Sequence, residues 1–201
     1  MKNLHIIVVI LSLIFSKNAV SQCLSDISSV GYQNIAKKPD GTIYTWGSGG
    51  SPTAQNSVFD FLQPIQVGTE TDWNKIYGSI GNHIVIKNND TLWNCGYNET
   101  GELGNGTSGY VNRVDVLTQI GTAQWKMMAP NFTFTLGLRT DGSIWATGQN
   151  QSGVLGDGTT TDRSSFVRVG TANDWREIAT NGSTSYAIKL NGTLWSWGFN
   201  G

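Results

Sequence analysis

Apolar and polar residues alternate in short runs along most of the chain, and the runs recur. "FTFTLGLR" (residues 132–139) alternates with a period of two, the pattern of a half-buried strand. Tyr186, Ile188 and Leu190 keep one face of a matching run. Each run leads into a turn pair, Asp-Gly, Asn-Asp or Asn-Gly, beginning at Asp40, Asn89, Asp141 and Asn191. These residues tolerate the positive φ of a two-residue type I′ turn, so a tight hairpin is predicted in every copy. A second strand carries an aromatic residue and stops at a glycine. "DWREIAT" (residues 174–180) predicts a strand before the hairpin, and "PIQVGT", "VLTQIGT" and "FVRVGT" predict a fourth strand after it.

Aligned on the turn residues, the copies share three offsets. The aromatic residue lies four positions later (Tyr44, Trp93, Trp145, Trp195), and the glycine seven later (Gly47, Gly96, Gly148, Gly198). Sixteen positions earlier stand Leu24, Trp73, Trp125 and Trp175. Only one stretch varies: 26 steps from Gly47 to Trp73, 29 from Gly96 to Trp125 and 27 from Gly148 to Trp175. The repeat therefore has a rigid part and an elastic part, and insertions of this kind collect in loops on one face. Four short strands in about 50 residues match one blade of a β-propeller. The predicted fold is all-β, an incomplete arc of about 3.5 repeats, with a β-solenoid of one coil per repeat as the alternative. The units run approximately 24–72, 73–124, 125–174 and an incomplete 175–201. Trp93, Trp145 and Trp195 are expected in equivalent buried positions. Trp73, Trp125, Trp175, Gly96, Gly148 and Gly198 complete the set of structural repeat positions.

Residues 1–21 are of another kind. Lys2 precedes the apolar run "IIVVILSLIF" (residues 6–15), and Ala19 and Ser21 offer small residues before a cleavage site. This predicts a signal peptide, a mature chain beginning near Gln22, and a secreted or cell-surface location without stable membrane insertion. A membrane anchor and a lipoprotein modified at Cys23 are the alternatives. Export permits a disulfide between the two cysteines, Cys23 and Cys95. Cys95 stands where the sister repeats carry Trp46, Thr147 and Trp197, which suggests a packed position.

"WGSG", "CGYNETGELGNGT" and "TGQNQSGVLGDGTTTDRSSFVRVGTANDW" resemble the repeat of the regulator of chromosome condensation family, with "GVLGDGT" (residues 153–159) standing for its glycine-leucine-glycine loop. The resemblance runs from Cys23 to Gly201 and implies a seven-bladed propeller of four-stranded blades. The first copy departs from it: "SGGSPTAQNSVFDF" lacks the leucine-glycine loop, and Lys37 replaces an apolar strand residue. The style of the repeat is that of exported bacterial members. Since about 3.5 repeats fall short of seven, the sequence reads as an N-terminal fragment of a longer protein, with two half-rings from separate chains as the competing account. The complete protein is expected to be monomeric, and the open fragment to be able to self-associate. The best-known eukaryotic members exchange guanine nucleotides on a small GTPase, but no contact residue for that role carries over.

Only 13% of residues are charged and the net charge is −1, so the basic footprint of a nucleic-acid binder is missing. After removal of the leader, His83 is the one remaining histidine; it begins a strand and reads as structural rather than as a triad base. One histidine and two distant cysteines make no zinc site. "GDGTTTD" lacks the carboxylate spacing of a calcium loop. Glu99, Glu102, Asp157 and Asp162 fall in elastic loops without the common pattern that a pair of glycosidase carboxylates would need. Asn-x-Ser/Thr triplets begin at Asn89, Asn98, Asn105, Asn131, Asn181 and Asn191, and matter only in a glycosylating host.

These observations predict a non-catalytic scaffold, without cofactor or metal, that meets a protein or glycan partner outside the cell. The alternatives are a fragment of a polysaccharide-degrading hydrolase or lyase and, by family analogy, a nucleotide-exchange factor. Because elastic loops vary without disturbing the packing, Asn98, Glu99, Asn150, Gln151, Asp162 and Arg163 are the candidate partner contacts, against the plainer reading that they are solvated turns.

Overall fold

The computed structural model describes residues 23–47 and 61–199. Residues 1–22, with the expected signal peptide, residues 48–60 and residues 200–201 lie outside them. Among the described residues fourteen strands follow one another in three series, and within each series chain neighbours pair antiparallel. β1 (Asp26–Val30), β2 (Gln33–Lys37), β3 (Ile43–Gly47) and β4 (Phe61–Val67) form a four-stranded sheet in that order. β5 (Trp73–Ser79), β6 (Asn82–Lys87), β7 (Thr91–Gly96), β8 (Val114–Pro130), β9 (Phe134–Arg139), β10 (Ile144–Gly148) and β11 (Arg163–Arg168) form one continuous series. The long β8 serves two blades: it pairs with β7 from Val114 to Gln124 and with β9 from Trp125 onward. β12 (Trp175–Asn181), β13 (Thr184–Lys189) and β14 (Leu194–Gly198) make the last sheet. Pairing inside each unit, rather than from coil to coil, excludes the solenoid. The molecule is an open arc of propeller blades.

The alternation seen in the sequence places side chains of one strand in two different cores. Val85 joins Ile35, Ile43, Trp73 and Ile76 between the first and second blades. Its neighbours Ile84 and Ile86 point the other way, to Leu92, Trp125 and Met128. The third core gathers Leu136, Leu138, Leu155, Trp175 and Ile178. Each junction is thus built around the tryptophan that opens the following blade, and truncating one costs about 3–5 kcal/mol.

The hairpin tryptophans differ from expectation. Trp73, Trp125 and Trp175 are the buried ones, whereas Trp93 and Trp145 are half-buried and Trp195 is 54% exposed. Two of the hairpin indoles meet the opening tryptophan edge-on, Trp93 against Trp73 (5.8 Å, 88°) and Trp195 against Trp175 (6.0 Å, 87°). Cys95 is fully buried in the first core and Cys23 is exposed, with no bridge between them.

The turns also differ. Lys38 N–H donates to Thr42 O and Gly41 N–H to Lys38 O, and the same bonds recur at Arg139–Ser143 and Lys189–Thr193. The loops therefore have three residues, with positive φ at Gly41, Asp90, Gly142 and Gly192 only. This is a type I turn closed by a left-handed residue rather than a type I′ turn. The preceding Asp or Asn instead acts through its side chain. Its Oδ1 accepts the backbone N–H and hydroxyl of the residue two positions on, as Asp141 does from Ser143 (2.9 and 2.6 Å). Such Asx turns fix the local chain without any positive φ at the Asx residue. The Ser143 hydroxyl then accepts from Trp145 Nε1 (2.9 Å), and Thr91 and Thr193 do the same for Trp93 and Trp195. The hydrogen bonds from Thr42 and Ser143 hold the Asp40 and Asp141 carboxyls below the usual carboxylate range.

Candidate partner-binding face

Strand direction sends the Asx turns to one end of the blades. The loops after β7 and β10 emerge at the other end, beside the hairpin tips at Gly31-Tyr32, Ile80-Gly81 and Gly182-Ser183. Within each loop one asparagine organises the chain. Asn98 Oδ1 accepts Leu103 N–H, and its Nδ2 donates to Asn105 Oδ1 (3.0 Å) and to the Thr107 carbonyl (2.9 Å). Asn150 repeats this with Leu155 N–H, Asp157 Oδ1 (3.1 Å) and Thr159 O (3.0 Å). Both asparagines are 0% exposed.

The pinned loop then reaches the next blade. In the first loop, Thr135 Oγ1 of β9 donates to Glu102 O (2.9 Å) and Thr147 Oγ1 of β10 to Gly101 O (2.8 Å). Gly106 N–H donates to Ser164 O in β11. In the second loop, Val154 O accepts from Ser185 Oγ (2.7 Å) and Trp197 Nε1 (2.8 Å). Leu103 and Leu155 are buried under these contacts. The glycine-leucine-glycine loop is therefore a latch between blades.

This corrects the set of expected partner contacts. Asn98 and Asn150 are withdrawn from solvent because their amides satisfy buried backbone groups, so neither reaches a partner. Asp162 accepts Asn150 N–H (2.7 Å). Arg163 Nε donates to Asp157 Oδ2 (2.8 Å), and its carbonyl accepts from Thr147. Burial pushes the Asp157 carboxyl up, but hydrogen bonds from Thr159, Arg163 and Asn150 leave it lowered on balance. Asp162 and Arg163 thus brace the loop, although Asp162 is exposed. Glu99 and Gln151 remain exposed, at equivalent positions of successive loops. Each borders a groove at a blade junction: one of about 90 Å³ between Tyr97, Glu99 and Phe132, the other of about 180 Å³ between Gln149, Gln151 and Gly182.

His83 occupies the position of Thr135 and Ser185 and is 1% exposed. Burial pushes its pKa down to about 4, which keeps the ring neutral and structural at neutral pH. Among the described residues, no group of three or more His, Cys, Asp or Glu side chains could hold a metal, and no helix is long and apolar enough to cross a membrane.

No family model matches the chain. Relatives do. The human X-linked retinitis pigmentosa GTPase regulator is 28% identical over 168 residues, covering 81% of this chain and 16% of that protein. Mouse Protein RCC2 is 33% identical over 88 residues, covering 43% of this chain and 17% of that protein. Prp20p of Saccharomyces cerevisiae, yeast RCC1, superposes with a TM-score of 0.78 at 15% identity, over 89% of this chain and 46% of that one. The chain is similar to RCC1-type repeat proteins and shares their propeller fold. It spans less than half of Prp20p and about a sixth of the two curated relatives.

Within these repeats, two features escaped the sequence reading. A basic residue stands two positions before every turn residue: Lys38, Lys87, Arg139 and Lys189. Lys87 lies 4.5 and 4.7 Å from the Trp73 and Trp93 ring centres, Arg139 lies 3.5 Å from that of Trp145, and Lys189 spans Trp175 and Trp195. A cation between two indoles is stabilised by both π faces. This fourth offset is visible in the aligned repeats. The second feature is a row of exposed apolar side chains at the tips of the loop-bearing end: Tyr32 (85% exposed), Ile80 and Phe132. No periodicity marks them, because each tip has its own turn.

Proposed function

We propose that this chain is a non-catalytic scaffold that binds a protein partner at the loop-bearing end of its blades, outside the cell. The observation that carries this reading is the contrast within the loops. Buried amides fix the backbone, while Glu99 and Gln151 beside the junction grooves, and Tyr32, Ile80 and Phe132 at the hairpin tips, are left on the surface. A rigid frame with exposed aromatic and polar groups is what recognition requires. Prp20p binds Gsp1p and histones, which supports a protein as the partner class; a glycan partner is the alternative outcome of the test below. Export rests on the leader-like residues 1–21.

Protein and glycan arrays of extracellular composition, probed with the purified chain, test the reading. Binding to a protein should be lost in Glu99→Arg/Gln151→Arg and in Tyr32→Ala/Phe132→Ala, and kept in Thr171→Arg at the Asx-turn end. Loss only in Thr171→Arg would place recognition at the wrong end and reject the proposal. Export is tested by N-terminal sequencing of secreted protein, with Gln22 as the expected first residue. An uncleaved chain retained in the cytosol would reject it.

A further inference from the structure

The two junction grooves are one groove built twice. Tyr97 N–H donates to Gly81 O and Gln149 N–H to Thr133 O, so Tyr97 and Gln149 hold the same position in successive blades. Counted from there, Glu99 matches Gln151, Thr100 matches Ser152 and Glu102 matches Val154. On the facing blade, Phe132 and Thr133 match Gly182 and Ser183. These positions line both grooves, yet the chemistry differs. The groove between the third and fourth blades offers amides, hydroxyls and a valine. The one between the second and third offers two carboxylates and two aromatic rings.

Its negative charge is not neutralised from within. The ion pairs among the described residues join other groups and leave out Glu99 and Glu102. Glu102 is 3% exposed and is held by the backbone: Oε1 accepts Glu99 N–H (3.3 Å) and Oε2 accepts Thr100 N–H (2.9 Å). The Thr100 hydroxyl lies 2.9 Å from the same Oε2 and 2.7 Å from Thr133 O across the junction, and its one proton serves one of them at a time. A carboxylate has about four acceptor sites, so Glu102 keeps capacity for a donor entering from the groove. Glu99 and Phe132 stand exposed at the rim. The Tyr97 ring is seated against Gly81, where a Cβ would come within 2.3 Å of it. The groove measures about 90 Å³, well below the roughly 300–1,000 Å³ of a small-molecule site, so it takes the end of one side chain rather than a whole ligand.

We propose that this groove takes an arginine side chain of the protein partner, its guanidinium stacked on Phe132 and forked to the Glu99 carboxylate, with Glu102 beneath. The planar fork suits a carboxylate and an aromatic face together, which a point-charge ammonium does not. The chain already places a guanidinium on an aromatic ring, with Arg139 over Trp145 at 3.5 Å. The inference rests on the reading that the loop-bearing end binds a protein, and adds what that protein presents.

The test is titration of the isotope-labelled full chain with the peptide Ac-Gly-Gly-Arg-Gly-Gly-NH2, and with the same peptide carrying lysine or citrulline (the neutral isostere), followed by amide NMR shifts. Saturable shifts at residues 99–102 and 132–133 are expected, with none at residues 151–154. Citrulline should weaken binding about tenfold or more and lysine about threefold. Glu99→Gln and Phe132→Gly, which copy the neighbouring groove, should each weaken it about tenfold while circular dichroism stays unchanged. Equal binding of the citrulline or lysine peptide, equal shifts in both grooves, or full binding by Glu99→Gln overturns the proposal. A captured protein lost in Tyr32→Ala/Phe132→Ala but unaffected by Glu99→Gln overturns it and leaves the scaffold reading standing. Loss only in Thr171→Arg overturns both.

Discussion

Asn150 and Gln151 are adjacent in the chain and opposite in role. The Asn150 amide holds Leu155 N–H, Asp157 and Thr159 in a buried setting, so Asn150→Ala strands several polar groups and should cost about 3 kcal/mol. Gln151→Ala removes an exposed side chain and should stay within about 0.5 kcal/mol. Urea unfolding of the two variants measures both. His83 makes a pH prediction. Its pKa falls from 6.5 to about 4 on folding, so protons favour the unfolded chain. Its contribution, about 3 kcal/mol, is fully present above pH 6.5 and is lost as pH falls toward 4. In His83→Gln the fall in stability between pH 6.5 and 5, above the range where the lowered carboxyls of Asp40, Asp141 and Asp157 contribute, should disappear, as followed by urea midpoints at successive pH values. From sequence, Asn98 and Asn150 read as loop residues available to a partner. Hydrophilic character says nothing about which polar group closes a loop from inside, and only the fold reveals that Leu103 and Leu155 turn inward above them.

At the level of the hairpin, the sequence was far more legible. Constant offsets from Asp40, Asn89, Asp141 and Asn191 located strands β2–β3, β6–β7, β9–β10 and β13–β14, because a period-two pattern and a turn pair survive any change of partner. The turn type did not follow, because Asx side chains support either geometry. The next blade sets instead how much room the turn glycine has. A Cβ at Gly142 would come within 2.2 Å of Asn173 O in the segment leading to Trp175, while Gly192 faces open space. Both have positive φ. Gly192→Ala should therefore cost about 1–2 kcal/mol from backbone strain alone, and Gly142→Ala about 3 kcal/mol or more, since the neighbouring backbone must also shift. Thermal unfolding compares them. The tryptophans divide in the same way: Trp125→Ala should cost about 3–5 kcal/mol, whereas Trp195→Ala, at an exposed site, should cost about 1 kcal/mol. Equal losses would mean that the hairpin indoles carry the core after all.

For the whole molecule, neighbouring blades are held by two devices at each described latch, an opening tryptophan and a loop that crosses the junction. Repeat arrays owe their stability to such nearest-neighbour contacts, so a loop in one blade should govern the strands of the next. Native-state hydrogen exchange of the wild-type chain and of Asn98→Ala tests this most directly. The prediction is loss of protection at Leu103 together with β9 and β10, through the Glu102–Thr135 and Gly101–Thr147 bonds, while β5 and β6 in the loop's own blade stay protected. If exchange rises only within residues 97–113 and β9 and β10 are unchanged, the loop is a solvated turn and not a latch.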